Sequence, residues 1–311
     1  MVVGGRGFVG SHVTRALADA GVRPVVFGPP MAEDRLSDIA GRYDEVTGSI
    51  EDRARLEAVL KEVRSSAVVS CAAYGAGRLG LMRSGEAEPE AAMAVNVLGF
   101  GKLLDAARAA GITRVVWTSS TAVYGPASAY PRETVSEDDP PAPATFYGLT
   151  KLLAEQIARY HVRRHGQDII GLRLPLILGP GLWYQGAAHA LAELLEAVRR
   201  GVPARIAFHD LPLDLMHVAD AAAAVLTVLR HPRPLGPVYN LEGFRARLTG
   251  LVREIRRVRP EARIEIEPAA PPMLFPLIDG SRFRLATGFA ARHNLAAFVR
   301  VMLEDQKELA P

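Results

Sequence analysis

The sequence predicts an α/β fold, a doubly wound parallel sheet followed by a smaller part of mixed structure. Through the first half of the 311 residues, apolar runs of strand length alternate with helical patterns. This alternation is typical of a parallel sheet that is covered by helices on both faces. An apolar fraction of 49% with 23% charged residues is that of a globular chain with a sizeable core.

The first half contains five strand candidates separated by helix candidates. The strands are predicted at residues 1–3, 22–27, 67–71, 114–118 and 169–174. The helices are predicted at residues 11–20, 53–64, 91–110 and 146–165. The run at 67–71 is continuously apolar, as expected of a strand that is buried on both faces.

The pattern loosens after residue 179, where prolines become frequent. Helices are predicted at 187–200, 218–229 and 249–258, and strands near 204–208 and 238–241. We therefore expect a larger domain over 1–174 and a smaller part over 175–311, with 217–241 returning to the larger domain. The polar, proline-rich stretch at 131–144 is expected to be a loop.

Charge and composition exclude several classes of protein. The 37 basic and 34 acidic residues leave a net charge of +3, and the arginines are interleaved with acids. A nucleic-acid partner is not expected, because it would require a basic stripe. The chain has no apolar run long enough to span a membrane and no signal-peptide pattern. Its single cysteine, Cys71, and the lack of a ligand cluster suggest a cytoplasmic protein without a metal.

The glycines of residues 4–10 follow the first strand and open the first helix, with the spacing G-x-x-G-x-x-G at Gly4, Gly7 and Gly10. Such glycines let the backbone turn tightly and approach a pyrophosphate, and the free N–H groups of the helix start favour an anion. The spacing predicts a dinucleotide site in a Rossmann-type fold. A glycine turn in an unrelated α/β protein is the alternative.

The second strand is not followed by the acid that usually binds the adenosine ribose of NAD. Phe27 is followed instead by Gly28. Arg6 lies within the glycine loop, and Arg35 lies a few residues downstream of the second strand. A guanidinium suits a 2′-phosphate, so NADP is favoured over NAD. The alternative is that Arg6 is only a solvated loop residue.

Tyr147 and Lys151 stand four residues apart on a predicted helix, so they share one face. A lysine ammonium beside a tyrosine would lower the pKa of the phenol and allow it to exchange a proton with a substrate. A surface pair is the alternative. Upstream, the strand at 114–118 ends in the hydroxyl cluster Ser119-Ser120-Thr121, of which Ser119 and Thr121 are interpreted as caps of the strand end.

With these motifs the chain resembles an extended short-chain dehydrogenase/reductase of the NAD-dependent epimerase/dehydratase family. The stretches that carry the resemblance run in order over nearly the whole chain and include GGRGFVG, YGLTK, LRLPLILGPG, DLMHVADAAAA and GPVYNLEG. The resemblance implies Ser120 as the catalytic hydroxyl and Tyr147 as the acid/base. It implies Lys151 as the partner of Tyr147 and a ligand of the nicotinamide ribose.

Further expectations follow from the same resemblance. It implies that the cofactor is bound by Gly4, Arg6, Gly7, Phe8, Val9, Gly10, Ser49, Ile50, Ala72, Ala73, Asn96 and Pro175, in addition to Tyr147 and Lys151. It also implies a homodimer that pairs through the helices at 91–110 and 147–165.

Departures from the family narrow the substrate. Thr121-Ala122 replaces the Asp-Glu pair of dehydratases, and Leu176 and Leu213 replace polar contacts to a nucleoside diphosphate. We therefore expect an NAD(P)-dependent oxidoreductase that acts on a small molecule. A nucleotide-sugar epimerase with tightly bound NAD is the alternative, and a non-catalytic nucleotide-sensing protein is a third.

Three other parts of the chain carry expectations of their own. Residues 73–82 are expected to form a mobile substrate loop. Trp183, Tyr184 and His189 could touch substrate or simply pack the C-terminal part. His161 and His165 are expected to be exposed.

Overall fold

The larger sheet has seven parallel strands. A computed structural model describes residues 1–31, 33–271 and 273–304. The strand order is β3-β2-β1-β4-β5-β7-β11. The strands are β1 (Val2–Val3), β2 (Val25–Gly28), β3 (Asp44–Thr47), β4 (Ala67–Ser70), β5 (Arg114–Ser120), β7 (Asp168–Leu174) and β11 (Val238–Asn240). This order is that of a doubly wound Rossmann-type sheet, so the predicted fold class is confirmed.

Helices cover both faces of this sheet. On one face lie α1 (Phe8–Asp19) and α8 (Val218–Arg230), and on the other lie α2 (Arg53–Val63), α5 (Phe100–Ala109) and α6 (Phe146–His165). Adjacent residues of β1 show the alternation, because Val2 packs in the core with α1 and α8 whereas Val3 packs in the core with α2, α5 and α6. Successive side chains of a strand point to opposite faces, so both cores form on the same short strand.

The smaller part contains three short sheets. One has the order β12-β10-β8, from β8 (Leu176–Leu178), β10 (Leu213–His217) and β12 (Phe244–Ala246). The others pair β9 (Ala204–Phe208) with β13 (Ile264–Pro268) and β6 (Thr134–Val135) with β14 (Leu277–Ile278). The helices of this part are α7 (His189–Arg199), α9 (Leu248–Val258), α10 (Ser281–Thr287) and α11 (Leu295–Leu303). A separate apolar core joins α7, α9 and α11 to the first two of these sheets.

The direction of winding reverses between β1 and β4, which lie side by side although α1, β2, β3 and α2 lie between them along the chain. In such sheets the loops at the carboxyl ends of the two strands diverge and leave a crevice where ligands bind. The glycine loop follows β1 at this point and Ala72 follows β4. The sheet therefore brings the two predicted cofactor loops to the same crevice.

Several boundaries differ from the sequence prediction. The second strand begins at Val25 rather than at residue 22, and β3 was missed because its acidic residues are mostly exposed at the sheet edge. The expected loop at 131–144 contains β6. The helix expected at 91–110 begins earlier, with α4 (Pro89–Met93), and passes through a π-helical segment, Ala94–Gly99, before α5.

Two further expectations were confirmed only in part, since residues 73–80 precede α3 and His165 is exposed. Residues 73–82 are not wholly a loop, because α3 (Leu81–Ala87) begins within them. His161 is buried, and its ring nitrogen lies 2.9 Å from the Gln167 side-chain oxygen. Within the described ranges, every helix is either too short or too polar to cross a membrane.

Candidate functional site

The glycine loop forms a tight cradle over the sheet. Gly4 has φ +73°, and a Cβ placed there would lie 2.9 Å from the backbone nitrogen of Ala72. A Cβ on Gly10 would overlap the Gly4 carbonyl, so the helix packs on the loop only because this position has no side chain. The Gly4 N–H donates to the Phe27 carbonyl at 2.8 Å. The loop is thus held at the ends of β1 and β2, as a pyrophosphate cradle requires.

The start of α1 is open to an anion. Gly7 occupies the N-cap and supplies no side-chain acceptor, and the first turn carries no acidic residue. The first N–H groups of a helix lack partners within the helix and lie at its positive end. The residues present therefore fit the diphosphate of a dinucleotide, with Phe8 and Val9 in the first turn of the helix.

Arg6 and Arg35 have different surroundings. Arg6 forms an ion pair with Glu45 of β3 and stays beside the end of β2. Arg35 pairs with Glu33, and its guanidinium carbon lies 3.7 Å from the ring centroid of Trp183. The sequence interpretation put Arg35 near the cofactor 2′-phosphate, but the structure brings it to the C-terminal part instead.

The remaining predicted cofactor residues are dispersed. Ser49 and Ile50 follow β3, where the Ser49 hydroxyl lies 3.2 Å from a Glu51 carboxylate oxygen and Ile50 is buried in the core. Ala72 and Ala73 follow β4 beside Gly4. Pro175 lies between β7 and β8.

Asn96 lies in the π-helical segment and uses its amide inside the protein. Its oxygen accepts from the Tyr74 N–H at 2.8 Å, and its nitrogen donates to the Thr150 hydroxyl at 3.0 Å. The Thr150 hydroxyl in turn donates to the Tyr147 carbonyl at 2.8 Å. Asn96 therefore braces the loop after β4 against the first turns of α6, and π-helical turns of this kind often occur near functional sites.

Ser120, Tyr147 and Lys151 meet where β5 ends and α6 begins. Thr145 caps α6 by accepting from the Gly148 N–H at 3.0 Å, which fixes Tyr147 in the first turn. The Ser120 side chain lies near enough to the Tyr147 phenol to lower its pKa. Lys151 is one turn further on, with Nζ 5.7 Å from the centroid of the Tyr147 ring. The structure thus brings the three predicted catalytic side chains together.

Burial controls the ionisation of this group. Burial raises the pKa of the Tyr147 phenol, nearby Tyr184 raises it further, and nearby Ser120 lowers it. The sequence argument expected Lys151 to lower this pKa, but in the described structure burial dominates. Burial also lowers the pKa of Lys151 to about 8, against smaller opposing effects from Cys71 and Glu155.

Beneath these residues lies a buried ionic network that the sequence interpretation missed. Arg173 of β7 donates to both carboxylate oxygens of Glu155, at 2.8 and 2.7 Å, and the Ser119 hydroxyl donates to the same carboxylate at 2.7 Å. Glu155 follows Lys151 by one helical turn, so the spacing 147, 151, 155 was the available signal. β7 is buried from Ile169 onward, and its sequence gave no sign that Arg173 would be buried with an acidic partner.

Tyr184 comes to this site from the smaller part. Its ring centroid lies 6.2 Å from that of Phe8 in an edge-to-face arrangement. Burial raises the pKa of Tyr184 to about 12, and the phenol is close enough to influence Tyr147. Tyr184 therefore lies between the start of α1 and the start of α6. His189, the third candidate, begins α7 and lies 3.1 Å from a carboxylate oxygen of Glu193.

The family of the chain follows from a comparison with known proteins. The model of the NAD-dependent epimerase/dehydratase family matches residues 1–241. The chain therefore belongs to this family, whose extended short-chain dehydrogenase/reductase members are enzymes.

Individual relatives divide between two activities. A UDP-glucose 4-epimerase of Azospirillum brasilense is 30% identical, with 99% of this chain and 92% of the relative covered. A D-erythronate dehydrogenase of Cupriavidus necator is 28% identical, with 98% of each chain covered.

Solved structures show the same fold. A GalE-like L-threonine dehydrogenase of Cupriavidus necator superimposes with a TM-score of 0.83, 24% identity and 98% of each chain covered. A UDP-glucose 4-epimerase of Thermus thermophilus in complex with NAD gives 0.80, 23% identity and 97% coverage of each chain.

Proposed function

We propose that the chain is a nicotinamide-dependent oxidoreductase that moves a hydride to or from a carbonyl or hydroxyl carbon of a small molecule. The observation that carries this proposal is the meeting of Ser120, Tyr147 and Lys151 at the crevice that begins at the glycine loop. A non-catalytic nucleotide sensor would have no need for a buried lysine beside a buried phenol. Leu176 and Leu213 pack against the apolar core of the smaller part, which supports a substrate without a nucleoside diphosphate.

In this mechanism Tyr147 exchanges a proton with the reacting oxygen. When bound, the nicotinamide ring supplies or accepts the hydride. The Ser120 hydroxyl lies near the phenol and is placed to hold the same reacting oxygen. Lys151 donates to the Thr118 carbonyl at 2.8 Å, which fixes its ammonium near the phenol and leaves two donors for a ribose. General acid–base catalysis by such a group contributes about 10²- to 10⁴-fold to the rate.

For the cofactor we propose a preference for NADP, carried by Arg6. No acid stands at the end of β2, where Gly28 lies, and Arg6 is held beside this strand by Glu45. A 2′-phosphate would share the guanidinium with Glu45, so the carboxylate should weaken NADPH binding through like-charge repulsion.

Two substitutions test this preference by titration calorimetry. Arg6→Ala should weaken the affinity for NADPH by about tenfold and keep the affinity for NADH within about twofold, because it removes a charge-assisted contact to the 2′-phosphate. The matched Glu45→Gln variant should strengthen NADPH. Equal losses for both cofactors in Arg6→Ala would reject a 2′-phosphate contact.

The alternative is a nucleotide-sugar epimerase with retained NAD, which the Azospirillum relative favours. The two functions are distinguished by acid denaturation of the purified chain, followed by chromatography of the supernatant to measure released nicotinamide dinucleotide. One nicotinamide dinucleotide per chain supports the epimerase, and its turnover of UDP-glucose without added cofactor would establish it. A cofactor-free chain that oxidises D-erythronate or L-threonine, or reduces a panel of carbonyl compounds, supports the oxidoreductase.

We also propose a homodimer and a cytoplasmic location. Leu98 of the π-helical segment is 57% exposed, and Leu149 and Tyr160 of α6 are also exposed apolar side chains. Such residues on neighbouring helices suit a buried face between two copies. Sedimentation velocity of the native chain tests this, and a 33.5 kDa species at micromolar concentration would reject it. Desolvation raises the pKa of the Cys71 thiol to about 12, which suits a free thiol in a reducing compartment.

A further inference from the structure

Residues 180–186, here called the strap, follow β8 and run beside the elements that surround the crevice. The strap contacts each of the three elements that surround the predicted cofactor path: α1, the segment after β2, and the segment after β4. These contacts come from different residues along seven positions. The strap is therefore attached along its length rather than at one end.

At α1, the strap lies on the helix that begins the cofactor site. The His12 ring nitrogen is 2.9 Å from the Pro180 carbonyl, and Tyr184 meets Phe8 edge to face. Phe8 is the first residue of α1, so the strap passes directly beside the open helix start. A dinucleotide that binds there must lie against or beneath it.

On the segment after β2, the strap is clasped by Arg35. The Arg35 side chain is 9% exposed and lies over Trp183, with Cζ 3.7 Å from the ring centroid. Its Nε faces the Gly181 carbonyl at 3.4 Å, and Glu33 pairs with its other side. One guanidinium nitrogen is buried without a hydrogen-bond partner. Arg35 thus contacts the strap through both its side-chain stack and its Nε.

At the segment after β4, the strap is joined by its backbone. Gln185 forms a parallel bridge with Leu79, and its N–H donates to the Arg78 carbonyl at 2.8 Å. Arg83 also donates to the Gln185 carbonyl. A Cβ on Gly80 would overlap Gly186, so the two segments approach as closely as backbones can.

We propose that the strap is a gate for the nicotinamide cofactor and that the stacking of Arg35 on Trp183 is the clasp that keeps it shut. This inference rests on the proposed function, because it takes a nicotinamide dinucleotide as the occupant of the crevice. Tyr184 lies between Phe8 and Tyr147, so the closed strap covers the half of the crevice where the proposed proton transfer occurs. Cofactor can enter or leave only when this segment lifts.

A gate and a binding contact differ in their kinetics. The clasp joins two protein side chains, so weakening it should speed entry and exit alike and leave the affinity nearly unchanged. A residue that touched the cofactor would instead speed exit alone and weaken the affinity by the same factor. Rate constants in both directions therefore distinguish the two roles.

The test is stopped-flow fluorescence of NADH, with binding followed directly and release followed by displacement with excess NAD, and it is repeated with NADPH. Trp183→Ala should raise both rate constants about tenfold, the factor expected from loss of a desolvated cation–π contact, and keep Kd within about twofold. Arg35→Lys retains the charge but not the planar stack, and should give a smaller increase in both. Arg42→Ala, which removes an exposed guanidinium whose described ion pair is with Asp19, is the matched control and should change neither.

A second variant keeps the proposal testable if Trp183→Ala does not fold. Leu79→Cys combined with Gln185→Cys places two thiols on bridged backbones, and their disulfide would hold the strap shut. Oxidation should slow NADH exchange at least tenfold, and dithiothreitol should restore it.

The outcomes are distinct. Unchanged rates in both Trp183→Ala and the oxidised double variant would overturn the gate while leaving the proposed function intact. Faster release with an equally weakened Kd would make Trp183 a cofactor contact instead. A native chain that binds neither NADH nor NADPH would overturn the proposed function and the gate together.

Discussion

Two buried cations lie near Glu155, and their surroundings are opposite: Lys151 is one helical turn before it on α6, and Arg173 binds it from β7. Arg173 is fully buried and donates to both oxygens of Glu155 and, at 2.6 Å, to the Tyr124 hydroxyl. Lys151 is 3% exposed, and its described hydrogen bond is to a neutral carbonyl, that of Thr118. One cation is neutralised by its neighbours and the other is not.

This difference indicates that Arg173 has a structural role, whereas Lys151 can take part in the chemistry. A guanidinium that is saturated with partners keeps its proton at any pH that the protein meets. An ammonium that is buried without a full counter-charge has a pKa close to neutral, here about 8, and can respond to a phenol or a ligand. A chain with 37 basic residues, only four of them lysine, thus keeps a lysine where a titratable cation is useful.

The largest effect on stability is expected from removing the counter-charge of Arg173. Glu155→Gln leaves the Arg173 guanidinium buried without its counter-charge, so it should lower the free energy of unfolding by about 3–5 kcal/mol. Urea denaturation measures this. Glu57→Gln, which breaks an exposed ion pair with Arg53, is the control and should cost at most about 0.5 kcal/mol.

Glu155→Gln should also change the pKa of Lys151. Glu155 helps to raise the pKa of Lys151, so its removal should lower that pKa further. If Glu155→Gln cost no more than Glu57→Gln, the buried pair would not be the structural charge described above.

A smaller effect on stability, of opposite sign, is expected from removing the charge of Lys151. Lys151→Met removes a poorly compensated buried charge, so at pH 7 it should stabilise the fold by about 1–3 kcal/mol, less the loss of the bond to Thr118. Between pH 8 and the ordinary lysine pKa near 10.4, the unfolded wild-type chain binds more protons than the folded one. Wild-type stability should therefore rise with pH in this window, and the advantage of the variant should shrink.

Urea denaturation of wild type and Lys151→Met at pH 7 and pH 10 measures the difference between their free energies of unfolding. Other titrating groups are shared by the two chains, so they largely cancel in the difference. A gap that stayed constant with pH would show that Lys151 does not titrate in this range.

The sequence was sufficient for the fold because its signals were local. The glycine loop, the continuous apolar strands and the Tyr147–Lys151 spacing each reflect the structure of one segment, and the order of segments then determines the sheet. The expected meeting of Ser120 with Tyr147 also followed, although only from the resemblance to the family.

The parts that the sequence did not reveal depend on long-range contacts. Arg173 was read as one more residue of an apolar strand, and its partner Glu155 lies 18 positions away on a different element. Arg35 and Trp183 are further apart still, and neither has a local pattern that indicates stacking. The strand β3 was missed because an exposed edge strand needs no apolar run.

The central claim is that Tyr147 transfers the proton in a nicotinamide-dependent reaction. The most direct measurement compares wild type with Tyr147→Phe, using the substrate of the panel with the highest turnover and measuring kcat together with the Kd for NADH and NADPH. We expect kcat to fall by about 10²- to 10⁴-fold while both Kd values stay within about twofold. Unchanged turnover in the phenylalanine variant would contradict the account, because a side chain without a hydroxyl cannot carry the proton.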